Sequence, residues 1–263
     1  MNRSRRRSAK PEQSSPDDWV IGVHAVEQLL RSRPAAIREL RTQDGEFAGR
    51  HGKIKALATQ QGLSLVSVER GWFDRFQAAH QGVAARVDAS KAVLDEQELL
   101  ALTAARLAVA RPLLLVLDGV TDPHNFGACL RTADAAGVDA VIVPRDNAAP
   151  LNATVRKVAC GAAETVPVAQ VTNLARCLER LKEQGIWLLG TADGAAQDLF
   201  QHELSGPLAI VMGSEGRGLR RLTRELCDFE AAIPMAGDLS SLNVSVATGV
   251  TLFEVVRQRR LQG

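Results

Sequence analysis

Polar side chains with the chemistry to bind and orient a substrate follow three short apolar runs of the sequence. The runs Leu113–Leu117, Leu208–Met212 and Ala231–Met235 each predict a buried strand, and each ends in a polar loop. The side chains in these loops and in the helices after them are His124, Asn125, Arg131, Glu215, Ser240, Ser241 and Asn243. Because ligands bind at the carboxyl ends of strands in an open α/β sheet, we expect these loops to line one site.

The loop at 213–218 has the sequence GSEGRG. Its glycines lack Cβ atoms, so the backbone can turn tightly and bring its N–H and C=O groups close to a ligand. The loop is not the dinucleotide fingerprint, and the phosphate-binding pattern GxxxxGK[ST] does not occur in the chain. On spacing alone, two ordinary strand-to-helix loops are an equal alternative, with Ser240, Ser241 or Asn243 serving as a helix N-cap.

Together the three segments resemble the motifs of the SpoU (TrmH) family of S-adenosylmethionine-dependent RNA ribose 2′-O-methyltransferases. The first motif is similar to Asn125, Gly127 and Arg131, the second to Gly213, Glu215 and Gly216, and the third to the run Ser241–Ser245. The similarity to members that methylate a guanosine of 23S rRNA begins at about Trp19, and Phe126 stands where leucine is usual.

The resemblance implies an activity and a set of site residues. The implied activity is transfer of a methyl group from S-adenosylmethionine to the ribose 2′-hydroxyl of a guanosine in 23S rRNA. The implied catalytic residues are Asn125, Arg131, Glu215 and Asn243. Gly213, Ile233 and Leu242 match the family's cofactor-binding positions, and Thr191, Ala192 and Ser241 are expected to bind the cofactor beside them. A deep trefoil knot and a homodimer whose active site uses both subunits are also implied, and no metal is expected.

The proton acceptor in such a reaction is not obvious from the sequence. Arg131 lies six residues after Asn125, so it is expected to face the same pocket mouth one to two turns along the helix. With a pKa above about 12, a guanidinium is a poor base near neutral pH. We interpret Arg131 as gripping the phosphate beside the target ribose and stabilising the developing oxyanion, although an exposed arginine in a salt bridge is the plain alternative. Glu215 is interpreted as a structural carboxylate that anchors its turn, Arg131 or Asn243, and His124 is a weaker candidate.

Two other functions stay open on the sequence. A member of the same family that acts on tRNA ribose is the nearer alternative. A non-catalytic RNA-binding factor of ribosome assembly is the other, and the presence of all four implied catalytic residues argues against it.

Composition and charge restrict the number of domains and the ways in which the chain can bind RNA. The chain has 263 residues, of which 46% are hydrophobic, so it can form one large domain or two unequal ones. Aromatic residues are 4% and tyrosine is absent, which argues against RNA recognition dominated by base stacking. The net charge is +2, and residues 1–17 hold five basic and two acidic side chains. The remainder is about neutral, so an RNA-binding face must come from the distribution of charge.

The four cysteines, Cys129, Cys160, Cys177 and Cys227, are far apart and form no CxxC pair. They predict neither a metal site nor a disulfide framework, and we expect buried, reduced thiols. The chain has no run of about 18 apolar residues and no apolar segment typical of a signal peptide, which favours a cytoplasmic location.

The order of patterns predicts four segments. Residues 1–17 are predicted to be a disordered basic tail, since they lack apolar periodicity. Residues 18–88 predict a small α/β domain that resembles ribosomal protein L30e and the RNA-substrate-binding domain of the family. Residues 89–111 predict a linker that docks as a helix. Residues 112–263 alternate strand and helix, which predicts a mostly parallel sheet with helices on both faces and an S-adenosylmethionine-binding methyltransferase domain.

Within the last segment several boundaries are specific predictions. A strand is expected at Thr165–Val171, followed by a helix capped by Thr172 with Leu174, Leu178 and Leu181 on one face. The final helix is expected at about Val244–Arg260.

Overall fold

The computed structural model describes residues 19–45, 50–76, 80–88 and 93–262. The predicted basic tail at 1–17 lies outside these residues, as does part of the predicted linker. The described chain forms two sheets, one of four strands and one of seven.

The four-stranded sheet lies in the first part of the chain. Its strands are β1 (Trp19–Ile21), β2 (Ile37–Gln43), β3 (Leu65–Val68) and β4 (Val83–Val87), in the order β1-β4-β2-β3. Its helices are α1 (Val23–Ser32) and α2 (Arg50–Gln60), and short 3-10 turns cover Pro34–Ala36 and Arg70–Arg75. The sequence predicts a small α/β unit for residues 18–88, and the described residues of this range contain both helices and strands.

Helix α1 illustrates how the local sequence builds this part. Gly22 has φ 96°, a conformation that side-chain-bearing residues rarely adopt, and it turns the chain from β1 into α1. Val23, Val26 and Leu30 then recur at helical spacing and are buried against Leu40 of β2. The helix therefore packs one apolar face on the sheet.

The seven-stranded sheet contains only parallel pairs, in the order β7-β6-β5-β10-β8-β11-β9. The strands are β5 (Leu113–Asp118), β6 (Ala140–Pro144), β7 (Val168–Val171), β8 (Trp187–Thr191), β9 (Gln197–Asp198), β10 (Leu208–Gly213) and β11 (Phe229–Ala232). The helices are α3 (Glu96–Leu107), α4 (Pro123–Ala136), α5 (Ala153–Ala159), α6 (Ala162–Thr165), α7 (Leu174–Glu183), α8 (Arg221–Leu226) and α9 (Val244–Gln262).

Alternate residues of β5 enter different apolar cores. Leu115 and Leu117 pack with α4 and α9, whereas Leu114 and Val116 pack with α3 and α7. Helices therefore cover both faces of the sheet, which explains the unbroken apolar runs of its strands. The predicted α/β class with a mostly parallel sheet is confirmed.

Several predicted boundaries were wrong for local reasons. Asn173, not Thr172, caps α7, because its side-chain oxygen accepts a hydrogen bond from the Arg176 N–H at 3.1 Å. Strand β7 begins only at Val168, since Thr165 is the last residue of α6 and Val166 and Pro167 connect the two elements. Strand β11 begins two residues before the strand predicted at Ala231–Met235 and ends at Ala232. The two-residue strand β9 was not predicted.

The expectation of four buried cysteines was wrong for Cys160, which is exposed at the C-terminal end of α5 with φ 52°. Cys129 and Cys177 are buried and Cys227 is half-buried. Burial raises the pKa of Cys129 to about 11 and that of Cys177 to about 12, so both stay protonated near neutral pH.

A charged cluster joins the two parts of the chain where α1 packs on α6. Glu164 of α6 is 2% exposed and accepts hydrogen bonds from Arg156 of α5 and from Arg33, which follows α1. Arg33 also donates to the Ala163 carbonyl at 2.8 Å. Among the described helices, none is both long and apolar enough to cross a membrane.

Candidate active site

Three side chains from separate segments, the first turn of α4, the loop after β10 and the residue before α9, form one hydrogen-bonded cluster at the carboxyl end of the large sheet. Asn125 Nδ2 donates to Glu215 Oε1 at 2.9 Å, and Asn243 Nδ2 donates to the same oxygen at 2.6 Å. Asn243 Nδ2 also lies 3.0 Å from Asn125 Oδ1. The structure therefore brings together three of the four implied catalytic residues.

The first turn of α4 fixes the position of Asn125. Asp122 caps this helix by accepting a hydrogen bond from the His124 N–H at 2.9 Å, and Pro123 occupies the first helical position. Asn125 then points into the fold and is 9% exposed, whereas the side chain of His124 is exposed. The amide is buried with its polar atoms paired, which suits a residue that holds a fixed orientation.

The loop that carries Glu215 folds back on itself. Ser214 N–H donates to the Gly218 carbonyl at 3.1 Å and Gly218 N–H donates to the Ser214 carbonyl at 2.9 Å. Gly216 and Gly218 have φ 74° and 65°, which only glycine adopts without strain. A Cβ on Gly213 would lie 2.2 Å from the Gly218 carbonyl carbon, so the close return of the chain requires glycine there too.

Asn243 also acts as the N-cap of α9. Its Oδ1 accepts hydrogen bonds from the Ser245 N–H at 2.9 Å and from the Ser245 hydroxyl at 2.6 Å. The N-cap alternative from the sequence is thus present, and the same side chain uses its Nδ2 to join the cluster. The two interpretations of Asn243 are compatible.

A cavity of about 360 Å³ lies beside the Glu215 loop. It is lined by all six implied cofactor-binding residues, Thr191, Ala192, Gly213, Ile233, Ser241 and Leu242. Met212 and Val244 add apolar surface, and Asp193 adds a carboxylate that the sequence patterns did not single out. This volume and this mixture of apolar walls and backbone groups fit S-adenosylmethionine, because the flat faces of its adenine pack on apolar surface while the edge of the adenine, the ribose and the amino acid part form hydrogen bonds.

A second cavity of about 570 Å³ adjoins the first. Glu215 lines both cavities, Asn125 lines only the second, and Asn243 lines neither but donates a hydrogen bond to Glu215. The hydrogen-bonded cluster therefore stands at the boundary between a space that fits a cofactor and a space open to a second reactant.

Asp118 is a site residue to which the sequence patterns gave no role. It is fully buried at the end of β5 and accepts hydrogen bonds from Arg220 Nε at 2.5 Å and from the Arg220 N–H at 3.1 Å. This pair anchors the end of the Glu215 loop to the strand beside it. A charged residue directly after an unbroken apolar strand is the signal that could have identified it.

Arg131 lies apart from the cluster. It is exposed, lines neither of the two cavities, and its Nη1 lies 3.7 Å from Cys160 Sγ. Six residues along a helix correspond to about 9 Å of rise and about 240° of rotation, so Asn125 and Arg131 leave α4 in different directions. The expectation that both face one pocket mouth is not met within a single chain.

Gly127 of the same helix serves packing. A Cβ there would lie 2.7 Å from the Val158 Cβ and 2.8 Å from the Val155 carbonyl oxygen. The glycine therefore permits the close approach of α4 and α5. Within the described ranges, no group of three or more histidine, cysteine or acidic side chains is placed to hold a metal ion.

Comparison with known proteins agrees with this geometry. A model of the SpoU rRNA Methylase family matches residues 112–253, and a model described as RNA 2′-O ribose methyltransferase substrate binding matches residues 19–93. The 23S rRNA (guanosine-2′-O-)-methyltransferase RlmB of Pseudomonas aeruginosa is 56% identical over 241 residues, which cover 91% of this chain and 96% of that protein. The protein of the same name from Shewanella oneidensis is 54% identical over 247 residues, covering 92% and 98%.

Solved structures give the same result. The SpoU methyltransferase AviRb from Streptomyces viridochromogenes, in complex with the cofactor AdoMet (S-adenosylmethionine), has a TM-score of 0.74 at 25% identity, covering 93% of this chain and 91% of that one. A putative RNA methyltransferase of the TrmH family from Porphyromonas gingivalis has a TM-score of 0.74 at 27% identity, covering 91% and 89%. With these matches along nearly its whole length, the chain belongs to the SpoU rRNA methylase family.

Proposed function

We propose that this chain transfers a methyl group from S-adenosylmethionine to the ribose 2′-hydroxyl of a guanosine in 23S rRNA. The observation that carries the proposal is the Asn125–Glu215–Asn243 cluster at the boundary between two adjoining cavities. Relatives named 23S rRNA (guanosine-2′-O-)-methyltransferase RlmB match more than nine tenths of the chain. Their name specifies both the base and the RNA.

The smaller cavity takes the cofactor, which supplies a methyl group on a positively charged sulfur. Gly213, Ile233 and Leu242 present backbone groups and apolar surface, and Thr191 is held by its hydroxyl, which donates to the Val211 carbonyl at 3.3 Å. The hydrogen bond of Thr191 fixes one side of this pocket, which helps to hold the cofactor in the in-line geometry that methyl transfer needs.

The cluster orients the ribose. Glu215 Oε1 accepts from both asparagines, whereas its Oε2 accepts no hydrogen bond from the described residues. Glu215 Oε2 is therefore positioned as an acceptor for a substrate hydroxyl, while Asn125 and Asn243 fix the carboxylate. This assigns Glu215 an orienting role, in addition to anchoring its own loop.

Arg131 acts across a homodimer. Because Arg131 lines neither cavity of its own chain and its side chain contacts Cys160 rather than the Asn125–Glu215–Asn243 cluster, its place in catalysis requires a second copy, as the family resemblance implies. There it grips the phosphate beside the target ribose and stabilises the developing oxyanion, and the proton leaves to phosphate or water. We also propose that the C-terminal part of the chain forms the deep trefoil knot that the family resemblance implies.

Residues 18–88 form the unit that binds the rRNA substrate, with an L30e-like fold, and residues 112–263 form the methyltransferase unit. The match of a substrate-binding model to 19–93 supports this division. Residues 89–111 connect the two, and the enzyme acts in the cytoplasm, where rRNA is assembled into ribosomes.

Purified protein tests the activity directly. With methyl-labelled S-adenosylmethionine, unmodified 23S rRNA should accept label and yield 2′-O-methylguanosine on digestion to nucleosides, whereas bulk tRNA should not. Label in tRNA alone would favour the tRNA-modifying alternative. Binding of 23S rRNA without any transfer would favour the non-catalytic assembly factor.

Mixed dimers test the role of Arg131. Arg131→Ala and Asn125→Ala chains are each expected to be inactive alone. If Arg131 serves the pocket of the other copy, a mixed dimer contains one site with both residues intact, so activity should return on mixing. Absence of any recovery, with mixed dimers shown to form, would place Arg131 in the site of its own chain.

A further inference from the structure

A cleft of about 640 Å³ separates the two parts of the chain. One wall comes from β1, the start of α1 and the end of the 3-10 turn at Arg70–Arg75, and the other from α5 and the turn before α6. Neither wall belongs to the cofactor cavity or to the cavity beside it. The cleft has no part in the reaction described so far.

Uncompensated positive charge borders this cleft. Arg75 and Lys157 line opposite walls, and among the described residues neither forms an ion pair with a carboxylate. Arg131 does not line the cleft itself but lies next to it, since its Nη1 is 3.7 Å from the Sγ of Cys160, which is a lining residue. Most described arginines pair with an acidic side chain, so three such cations around one cleft form a site for an anion.

Arg75 is held in position before any ligand arrives. Its Nε donates to the Trp72 carbonyl at 2.8 Å, and its guanidinium lies 4.3 Å from the centre of a Trp72 ring. Hydrogen bonding and cation–π stacking therefore fix the side chain without neutralising its charge. An arginine presented in this way suits phosphate recognition.

The rest of the cleft is mainly apolar and its carboxylate is already compensated. Ile21 and Phe76 line one wall and Ala153 the other, which gives a surface suited to the flat face of a base. Glu164 also lines the cleft, but it accepts hydrogen bonds from two arginines. The local charge therefore stays positive.

From these observations we infer that the cleft binds an unpaired nucleotide of the substrate RNA, with its base against the apolar walls and flanking phosphates on Arg75, Lys157 and Arg131. A cavity of this volume takes a ligand the size of one or two nucleotides, whereas a duplex is too wide. Unpaired nucleotides are also the usual targets of sequence-specific RNA recognition. The inference rests on the proposed function, because it takes the RNA to be the substrate.

The cleft would then fix the distance between the nucleotide that it binds and the ribose of the same RNA that is methylated. Arg131 belongs to both places, since it borders the cleft of its own chain and is proposed to act at the pocket of the other copy. RNA bound in the cleft of one subunit therefore extends to the cofactor pocket of the other subunit.

Filter binding of full-length, unmodified 23S rRNA transcript tests the charged contacts. Lys157→Ala and Arg75→Ala should each weaken binding by about fivefold and lower the salt dependence by about one phosphate contact. Arg260→Ala is the matched control, because Arg260 is an exposed cation on the last turn of α9 and forms no ion pair with a described carboxylate. Affinity for S-adenosylmethionine, measured by calorimetry, should be unchanged in all three.

A substitution that fills the cleft without altering its charge tests whether RNA occupies the cleft. Thr154→Trp places a large side chain in the cleft without altering charge, and RNA binding should weaken by about tenfold with cofactor affinity and unfolding midpoint retained. Cys160 gives an independent readout, since it is exposed and lines the cleft. Saturating 23S rRNA should slow its alkylation by N-ethylmaleimide at least fivefold.

The outcomes separate this inference from the proposed function. If wild-type protein methylates 23S rRNA but the Lys157, Arg75 and Thr154 variants bind RNA as well as the Arg260 control, the cleft is not an RNA site. Unchanged alkylation of Cys160 in the presence of RNA would overturn it as well. If the variants lose RNA affinity while wild-type protein transfers no methyl group, the cleft assignment holds and the methyltransferase assignment fails.

Discussion

Replacing Glu164 by alanine should destabilise the protein more than any single change to a surface ion pair. Glu164 is 2% exposed, and the Arg156 and Arg33 side chains around it are 9% and 24% exposed. Burial lowers the pKa of Arg33, Glu164 raises it again, and Arg156 lowers it further. Without the carboxylate, two guanidinium groups remain close together in a site poorly accessible to water.

Removing one partner from a buried ion pair typically costs about 3–5 kcal/mol. Arg33 keeps its hydrogen bond to the Ala163 carbonyl and is partly exposed, so we expect the lower end, about 3 kcal/mol, for Glu164→Ala. Arg33→Ala should cost less, because it leaves the Arg156–Glu164 pair intact. The control is Arg31→Ala, which removes an exposed pair with Glu27 on the same helix and should cost about 0.5 kcal/mol at most.

Urea unfolding followed by far-UV circular dichroism and by tryptophan fluorescence measures these differences. Trp19 and Trp72 report on the part with the four-stranded sheet, and Trp187 reports on the large sheet. Because Glu164 joins the two parts, Glu164→Ala should also separate their transitions. A loss no larger than that of Arg31→Ala, with one coincident transition, would refute this account of the cluster.

Three further changes test the site and its surroundings. Gly213→Ala should abolish S-adenosylmethionine binding in calorimetry, since its Cβ would overlap the Gly218 backbone, whereas Gly206→Ala, where an added Cβ meets nothing within 4 Å, should bind normally. Arg131→Lys should lose most activity at every pH from 7 to 10, because the planar fork is lost; strong recovery toward pH 10 would instead indicate a base. At pH 8 maleimide should label Cys160 well before Cys129, whose pKa is raised to about 11 by burial, and Cys160→Ser should remove the fast phase.

Much of the large sheet could be predicted from the sequence because its strands are buried on both faces. Continuous apolar runs such as Leu113–Leu117 and Leu208–Met212 leave little doubt about a strand, and the polar loop after each marks the site. Short elements were harder to predict from the sequence. Strand β9 has only two residues, and the choice of Asn173 over Thr172 as a cap depends on which side chain reaches the Arg176 N–H.

The site could be predicted only in part, for a similar reason. Asn125, Glu215 and Asn243 follow strands of one sheet, so their convergence follows from topology. The position of Arg131 depends on its rotation around α4, and the charge around the cleft of Arg75 and Lys157 depends on how the parts that contain the two sheets meet. Neither leaves a periodic pattern in the sequence.

Methylation of a guanosine ribose in 23S rRNA can be measured by nucleoside mass spectrometry of 23S rRNA from cells that lack this protein. We predict that one 2′-O-methylguanosine is lost, that the wild-type chain restores it, and that the Asn125→Ala chain does not. An unchanged 2′-O-methylguanosine content of 23S rRNA in those cells would contradict the account.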